Sequence, residues 1–345
     1  MTNRSADRAR PHTLDVAGLG NALVDALVRI EDDALLSELG LTRGLMHPVD
    51  HAAWHAAFER VQAFGVEIQS GGSCANTMAT LGLLGARVCF AGQVGEDQMG
   101  HLYASRMTEA CGTHALRYTH DHATGKCLAI ISARDAERTM LTDLGAAVNL
   151  PELGDFVHVI EEARILHTEG YLLLGEPMRS HAFAAVAAAK AAGVKVSIDA
   201  ADPFVVRAVG EPMVELLRQA DIVFLNAEEA AVLGGGSPEA AIASLSQDVP
   251  TVVVKLGARG SLIKHEGVLY PALAYPTSAV DTTGAGDAYA AGYLYGTLQG
   301  WDPTRSATLA ARVASLTVSQ VGAVYRDRAA LAAALAQTQA AWSSS

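Results

Sequence analysis

Cysteine is scarce in this chain of 345 residues. The four present, Cys74, Cys89, Cys111 and Cys127, show no C-x-x-C spacing. They read as reduced, buried thiols of a cytoplasmic protein. Basic residues are also in deficit: 25 Lys and Arg against 37 Asp and Glu leave a formal charge of −12. That argues against a nucleic-acid surface, which would show basic clusters. It does not exclude a phosphate ligand, because a local pocket of N–H groups can hold one. No stretch approaches the ~20 apolar residues of a membrane span. The opening "MTNRSADRARPH" is polar and lacks the apolar centre of a signal peptide. A soluble, intracellular chain with neither membrane nor nucleic acid as partner is expected. Two common phosphate motifs are missing as well. There is no G-x-x-x-x-G-K-[ST] string, and after Gly284 and Gly286 the third position of G-x-G-x-x-G is Tyr289.

What is present is apolar material, half of all residues, enough for a sizeable core. Short apolar runs at 14–20, 86–95, 163–174, 194–200, 220–226 and 251–257 read as buried strands. Between them lie Ala-rich helical runs at 74–85, 98–110, 178–192, 211–219 and 227–233. The last part reads as helices over 285–299, 303–320 and 327–342. Strands apolar on both faces that alternate with helices predict a mostly parallel sheet covered on both sides. Two regions break the rhythm, about 23–50 and 115–146. The second reads as antiparallel strands, "ALRYTH", "KCLAIIS" and "RTMLTDLG". Both are expected to form a small β-sheet projecting from one large α/β domain, with no linker that divides the chain.

"DTTGAGD" (281–287) places a carboxylate behind a glycine-rich turn at the mouth of a helix. The first N–H groups of a helix are unpaired and carry the positive end of its dipole. N–H groups at Gly284, Ala285 and Gly286 can converge on an oxygen-rich group while Asp287 takes a proton from an attacking hydroxyl. By spacing alone, a helix cap with a Gly turn is an equally good reading. In "SGGSCANTMATLGLLG" (70–85), Gly71 and Gly72 allow close backbone approach. Ser73 is expected to cap the helix, and Asn76 lies one turn in; an ordinary capped helix reads the same way. "GLGNALVD" (18–25) ends a strand with Asn21 and Asp25, where ligands sit in open α/β sheets; two turn residues fit too. Asn226 and Glu229 share a helix face and can hold Mg²⁺ through its waters, or merely cap. "KLGARG" (255–260) is a strand–turn–strand around Gly257 and Gly260, suited to a nucleotide or a plain hairpin. "HAAWH" (51–55) has zinc-helix spacing without the Glu of H-E-x-x-H, so no metal is expected there.

Together, "DTTGAGDAYAAGY" and "GGSCANTMATLGLLG" followed by "GQVGEDQMG" (92–100) resemble the signatures of the ribokinase (PfkB-type) family of sugar and nucleoside kinases, over about residues 14–335. The resemblance implies a three-layer α/β/α sandwich with a sheet of eight or nine strands and a β-sheet lid. It implies Asp287 as base, Gly284, Ala285 and Gly286 as anion hole, and Asn226 and Glu229 as the N-x-x-E that positions Mg²⁺. Asp281 and Thr283 fall where some members hold a monovalent cation such as K⁺. "GNALVD" and "AERTMLTDLGAA" are similar to the adenosine-kinase branch, with Arg138 able to reach the phosphates. Lys255 departs from the Thr that many relatives carry before the Gly turn. The expected activity is ATP-dependent phosphorylation of a nucleoside 5′-hydroxyl, adenosine first, with Asn21, Asp25, Gly71, Gly72 and Asn76 around the acceptor. ATP would be held by Asn226, Glu229, Lys255, Gly257 and Gly260. A free-sugar kinase and a catalytically silent nucleoside-binding regulator are the alternatives. Phe90, Tyr118, Tyr171 and Phe204 are candidates for stacking on a base, and the chain is expected as monomer or homodimer.

Overall fold

The computed structural model describes residues 12–135 and 137–343; the polar opening segment lies outside them. Its strands are β1 Leu14–Leu19, β2 Leu23–Ile30, β3 Met46–Pro48, β4 Glu67–Gly71, β5 Val88–Gly95, β6 His114–Thr119, β7 Gly125–Ser132, β8 Arg138–Asp143, β9 Ala163–Glu169, β10 Lys195–Asp199, β11 Ile222–Asn226, β12 Thr251–Lys255, β13 Ser261–His265 and β14 Val268–Ala272. Nine form one large sheet in the order β14-β13-β12-β11-β10-β9-β1-β5-β6. From β12 to β6 every neighbouring pair is parallel. β13 and β14 add an antiparallel edge. Near-continuous Val, Ile and Leu in "IVFL" and "TVVV" suit strands buried on both faces. Two apolar clusters cover those faces. One holds Met78, Phe90, Phe224 and Leu294; the other holds Leu166, Val186, Ile198 and Val252.

The remaining five strands form a second sheet, β3-β8-β7-β2-β4. Here β2 runs parallel to β7 and antiparallel to β4, and β7 runs antiparallel to β8. The helix His51–Val61 covers one face through Trp54, Ala57 and Val61, against Val28 and Ile130. Three expectations differ from the structure. β6, "HALRYT", pairs parallel with β5 at the edge of the large sheet, not in the small one. β4, outside both expected insertions, belongs to the small sheet. The run 163–174 is a strand only to Glu169, followed by a 3₁₀ turn over Gly170–Leu174.

Sequential order reverses beside β1, which lies between β5 and β9. In open α/β sheets that switch point opens a crevice at the carboxyl ends of the strands. Among the described residues no helix is long and apolar enough to cross a membrane. All four cysteines are free and buried.

Candidate active site

The last residue of each of four adjacent parallel strands is polar: Glu169 on β9, Asp199 on β10, Asn226 on β11 and Lys255 on β12. An apolar strand run that ends on such a residue delivers it to the crevice. Facing them is the start of the helix Ala285–Leu298, whose N-cap Gly284 has φ +70°. A Cβ at Gly284 would lie 2.3 Å from the carbonyl oxygen of Ala323, so the close approach also requires glycine. The N–H of Ala285 donates to the Thr282 carbonyl at 3.2 Å and closes the turn. Of the three N–H groups expected to converge on an anion, that one is thereby engaged. Those of Gly284 and Gly286 have no partner among the described residues.

Asp287 lies in the first turn of this helix and is held from across the crevice. Ser73 Oγ donates to its Oδ1 at 2.7 Å, and Asn76 Nδ2 donates to its Oδ2 at 2.9 Å. Both donors sit on the helix Ser73–Leu83, whose N-cap is Gly72 with φ +96°. Ser73 thus donates to Asp287 and does not cap its own helix. Asn76, expected on the acceptor, donates to Asp287 instead. Burial raises the Asp287 carboxyl from 3.8 to about 6, opposed by these two hydrogen bonds.

Glu169 was not singled out in the sequence. Its carboxylate accepts from the backbone N–H of Asn21 at 3.0 Å and of Cys74 at 2.5 Å. It thereby ties the end of β1 to the start of the Ser73–Leu83 helix. Burial pushes it up to about 7. Asn21 keeps its own Oδ1 buried and without a partner, a polar atom left for a ligand or water. The Asp25 carboxylate lies against Gly71, where a Cβ would be 2.1 Å from Oδ2. Burial raises it to about 7, against the pull of Arg138.

Asn226 and Glu229 form a capping box. The Glu229 carboxylate accepts from the Asn226 N–H at 2.7 Å and from its side-chain amide, while Asn226 Oδ1 accepts from the Glu229 N–H at 2.8 Å. Burial and the Asp199 charge raise Glu229 to about 7. Among the described residues there is no cluster of three or more His, Cys, Asp or Glu able to hold a metal directly. Lone pairs left on Glu229 suit water-mediated contact with Mg²⁺. Asp281 accepts from Thr283 N–H at 2.9 Å, Thr283 Oγ1 at 2.5 Å and Gly322 N–H at 2.9 Å. Arg138 of the small sheet hydrogen-bonds Thr283 Oγ1 and comes within 3.7 Å of Asp281. This carboxylate holds a turn and a guanidinium.

Lys255 donates to Asp199 at 2.6 Å. Gly257 and Gly260 follow it in the 3₁₀ turn to β13, closed by Leu256 N–H on the Gly260 carbonyl at 2.8 Å. Of the aromatic candidates, Phe90 is wholly buried in the core. Tyr118 is half-exposed on the edge strand β6 and Phe204 is exposed. Tyr171 stands near the site: burial and the charges of Asp202, Glu169 and Asp287 raise its hydroxyl. His51, of "HAAWH", meets the Lys126 ammonium at 3.0 Å.

The pfkB family carbohydrate kinase model matches residues 44–329. The chain is 30% identical over 282 residues to a 5-dehydro-2-deoxygluconokinase of Shouchella clausii (strain KSM-K16), covering 78% of this chain and 86% of the relative. An adenosine kinase structure from Sinorhizobium meliloti superposes with TM-score 0.85 at 30% identity, over 94% of this chain and 99% of the other. A probable sugar kinase from Rhizobium etli CFN 42 gives 0.86 at 28%, over 94% and 98%. The chain belongs to the PfkB carbohydrate kinase family, with the ribokinase-like fold, and is an ATP-dependent kinase acting on a hydroxyl group.

Proposed function

We propose that the hydroxyl is the 5′-OH of a nucleoside, adenosine first. The observation that carries this reading is the inner face of the small sheet. Asp25 and Leu27 alternate along β2 onto one face, and their register partners Cys127 and Ala129 share it. Ile131, Met140 and Arg138 continue that face. Leu27, Ala129 and Ile131 are buried, with Met140 against them. Arg138 joins this face to Thr283 beside the anion turn. One carboxylate for ribose hydroxyls beside an apolar wall suits a sugar bearing a flat base. The adenosine kinase of S. meliloti, at 94% coverage, supports the reading.

In this reading Asp287 removes the acceptor proton as the acceptor oxygen attacks the terminal phosphorus of ATP, and ADP leaves. The N–H groups of Gly284 and Gly286 face the phosphoryl oxygens. Asp25, Asn21 and the Gly71–Gly72 turn bind the acceptor. Asn226, Glu229 and the Gly257–Gly260 turn lie on the nucleotide side. Mg²⁺, held by Glu229 through water, would neutralise phosphate charge. The chain works in the cytoplasm as monomer or homodimer. A second reading, a free-sugar kinase, is favoured by the S. clausii relative.

The test is ADP release from ATP and Mg²⁺ with adenosine, other nucleosides, ribose, fructose and 5-dehydro-2-deoxygluconate. Adenosine should give the highest kcat/KM. Preference for a free sugar would reverse the ranking. Tight nucleoside binding without ADP release from any acceptor would indicate a regulator.

A further inference from the structure

Lys255 is a buried cation at the carboxyl end of β12, its side chain 13% exposed and that of Asp199 only 5%. Its stem passes the Phe224 ring, with Nζ 6.0 Å from the centroid. Its other neighbour is the anion turn: a Cβ on Gly286 would stand 3.0 Å from Nζ. The ammonium therefore sits between a carboxylate and the backbone on which a phosphoryl group would rest. Asp199 is itself fixed. Its Oδ1 accepts from the N–H of Ala201 at 3.1 Å, and Ala201 has φ +80°, a conformation L-residues rarely adopt. The chain tolerates a strained residue in the turn that aims this carboxylate. Burial disfavours the ammonium, but the charges of Asp199 and Glu229 outweigh it and hold Lys255 protonated.

An ammonium has three donors, and Asp199 is the one partner of Nζ among the described residues. Asp287, Asp199, Glu229 and Glu169 already make this crevice acidic, so a bound triphosphate needs a compensating positive charge. We infer that Lys255 is a catalytic cation of phosphoryl transfer: Asp199 positions its ammonium beside Gly286, and its free hydrogens go to the terminal phosphates of the donor nucleotide. The inference rests on the phosphotransferase reading and deepens it. In the step, the acceptor oxygen bonds to the terminal phosphorus. The bond from that phosphorus to the bridging oxygen breaks, and its electron pair leaves with the nucleoside diphosphate. The acceptor proton passes to Asp287. Lys255 keeps its proton throughout and stabilises negative charge, a role for which a neutral Thr offers only a hydroxyl.

The test uses the full chain with ATP and Mg²⁺. Lys255→Met should lower kcat on the order of 10²–10³-fold, the range measured when one donor to developing charge is removed. Acceptor KM should stay within about threefold, and Lys255→Arg should recover part of the loss. The single Met variant leaves Asp199 buried without its partner, so its melting temperature should fall. The double variant Asp199→Asn, Lys255→Met removes that imbalance and should regain the melting temperature while remaining slow. Near-normal turnover in Lys255→Met, or recovery of kcat in the double variant, would overturn the inference, because Lys255 would then serve only to neutralise Asp199. Should the parent chain turn over no acceptor at all, the phosphotransferase reading fails separately. Calorimetry with ATP then decides Lys255 alone: about tenfold weaker ATP binding in the Met variant supports it, and an unchanged affinity overturns it.

Discussion

At the scale of single residues the site is a set of buried acids, each restrained by a different neighbour. Asp287 is the one whose two oxygens are each met by a side-chain donor from the opposite helix. Those donors orient the carboxylate and keep it from rising further. Asp287→Ala should lower kcat on the order of 10²–10⁴-fold while acceptor and ATP still bind; a rate near that of the parent chain removes Asp287 from the mechanism. The acid limb of kcat/KM should lie near pH 6, because the base works only when ionised. Ser73→Ala removes one bond to the ionised form, so that limb should move to higher pH, by roughly half a unit to one unit. A pH–rate profile of the two proteins checks the direction. An unmoved limb would mean that Asp287 is not the group titrating. Asp25→Ala should act chiefly on acceptor KM, with kcat for saturating acceptor less affected.

At the scale of elements the functional side chains come from strand ends and helix starts. Those places were legible in proportion to how local their signals are. The Gly284–Asp287 turn, the 281–293 helix start and the "NAEE" box are local in sequence, and so they could be read. Glu169 and Asp199 carry no local signal, because each is the last residue of an apolar run, "RILHTE" and "VSID". Their partners, Asn21, Cys74 and Lys255, lie 148, 95 and 56 residues away. β6 differs from its expected antiparallel pairing for a physical reason as well. As the edge of the large sheet it is half-buried along its length. It therefore lacks the double-faced apolar run of an inner parallel strand and looks like an antiparallel one. β4 is five residues with one large apolar side chain, Ile68, too short to show a period.

Asp25 shows what placing an acid on an inner sheet face does to stability. Its carboxyl rises from 3.8 to about 7 on burial. Between those values the folded chain keeps a proton that the unfolded chain has lost. The contribution of this group therefore declines as pH rises through that window. Asp25→Asn cannot ionise. It should melt roughly 2–6 °C higher than the parent at pH 8, with the gap closing toward pH 4. Thermal scans across that range check the sign. A constant difference at every pH would show that Asp25 is not held neutral in the fold.

At the scale of the whole molecule the two sheets meet at the anion turn. Arg138 leaves the inner face of the small sheet and bonds Thr283, one residue before Gly284. Arg326, from the loop that also supplies Gly322 to Asp281, reaches Ser70 of β4 at 3.3 Å. The small sheet is thus connected to the Asp281–Gly284 turn and the loop behind it from two strands, and in the proposed reading its apolar face covers the acceptor. A cover of this kind keeps water from competing with the acceptor hydroxyl for the phosphoryl group. Arg138→Leu keeps an apolar stem but removes the guanidinium link. Phosphorylation of acceptor should slow on the order of tenfold. The share of ADP formed without phosphorylated acceptor should rise, because the cover would no longer be fastened where the phosphoryl group rests. Measuring ADP and phosphorylated acceptor in the same reaction separates the two quantities. If Arg138→Leu slowed transfer but stayed fully coupled, the guanidinium would matter for phosphate charge alone. If it left both unchanged, the link between the sheets would have no part in turnover.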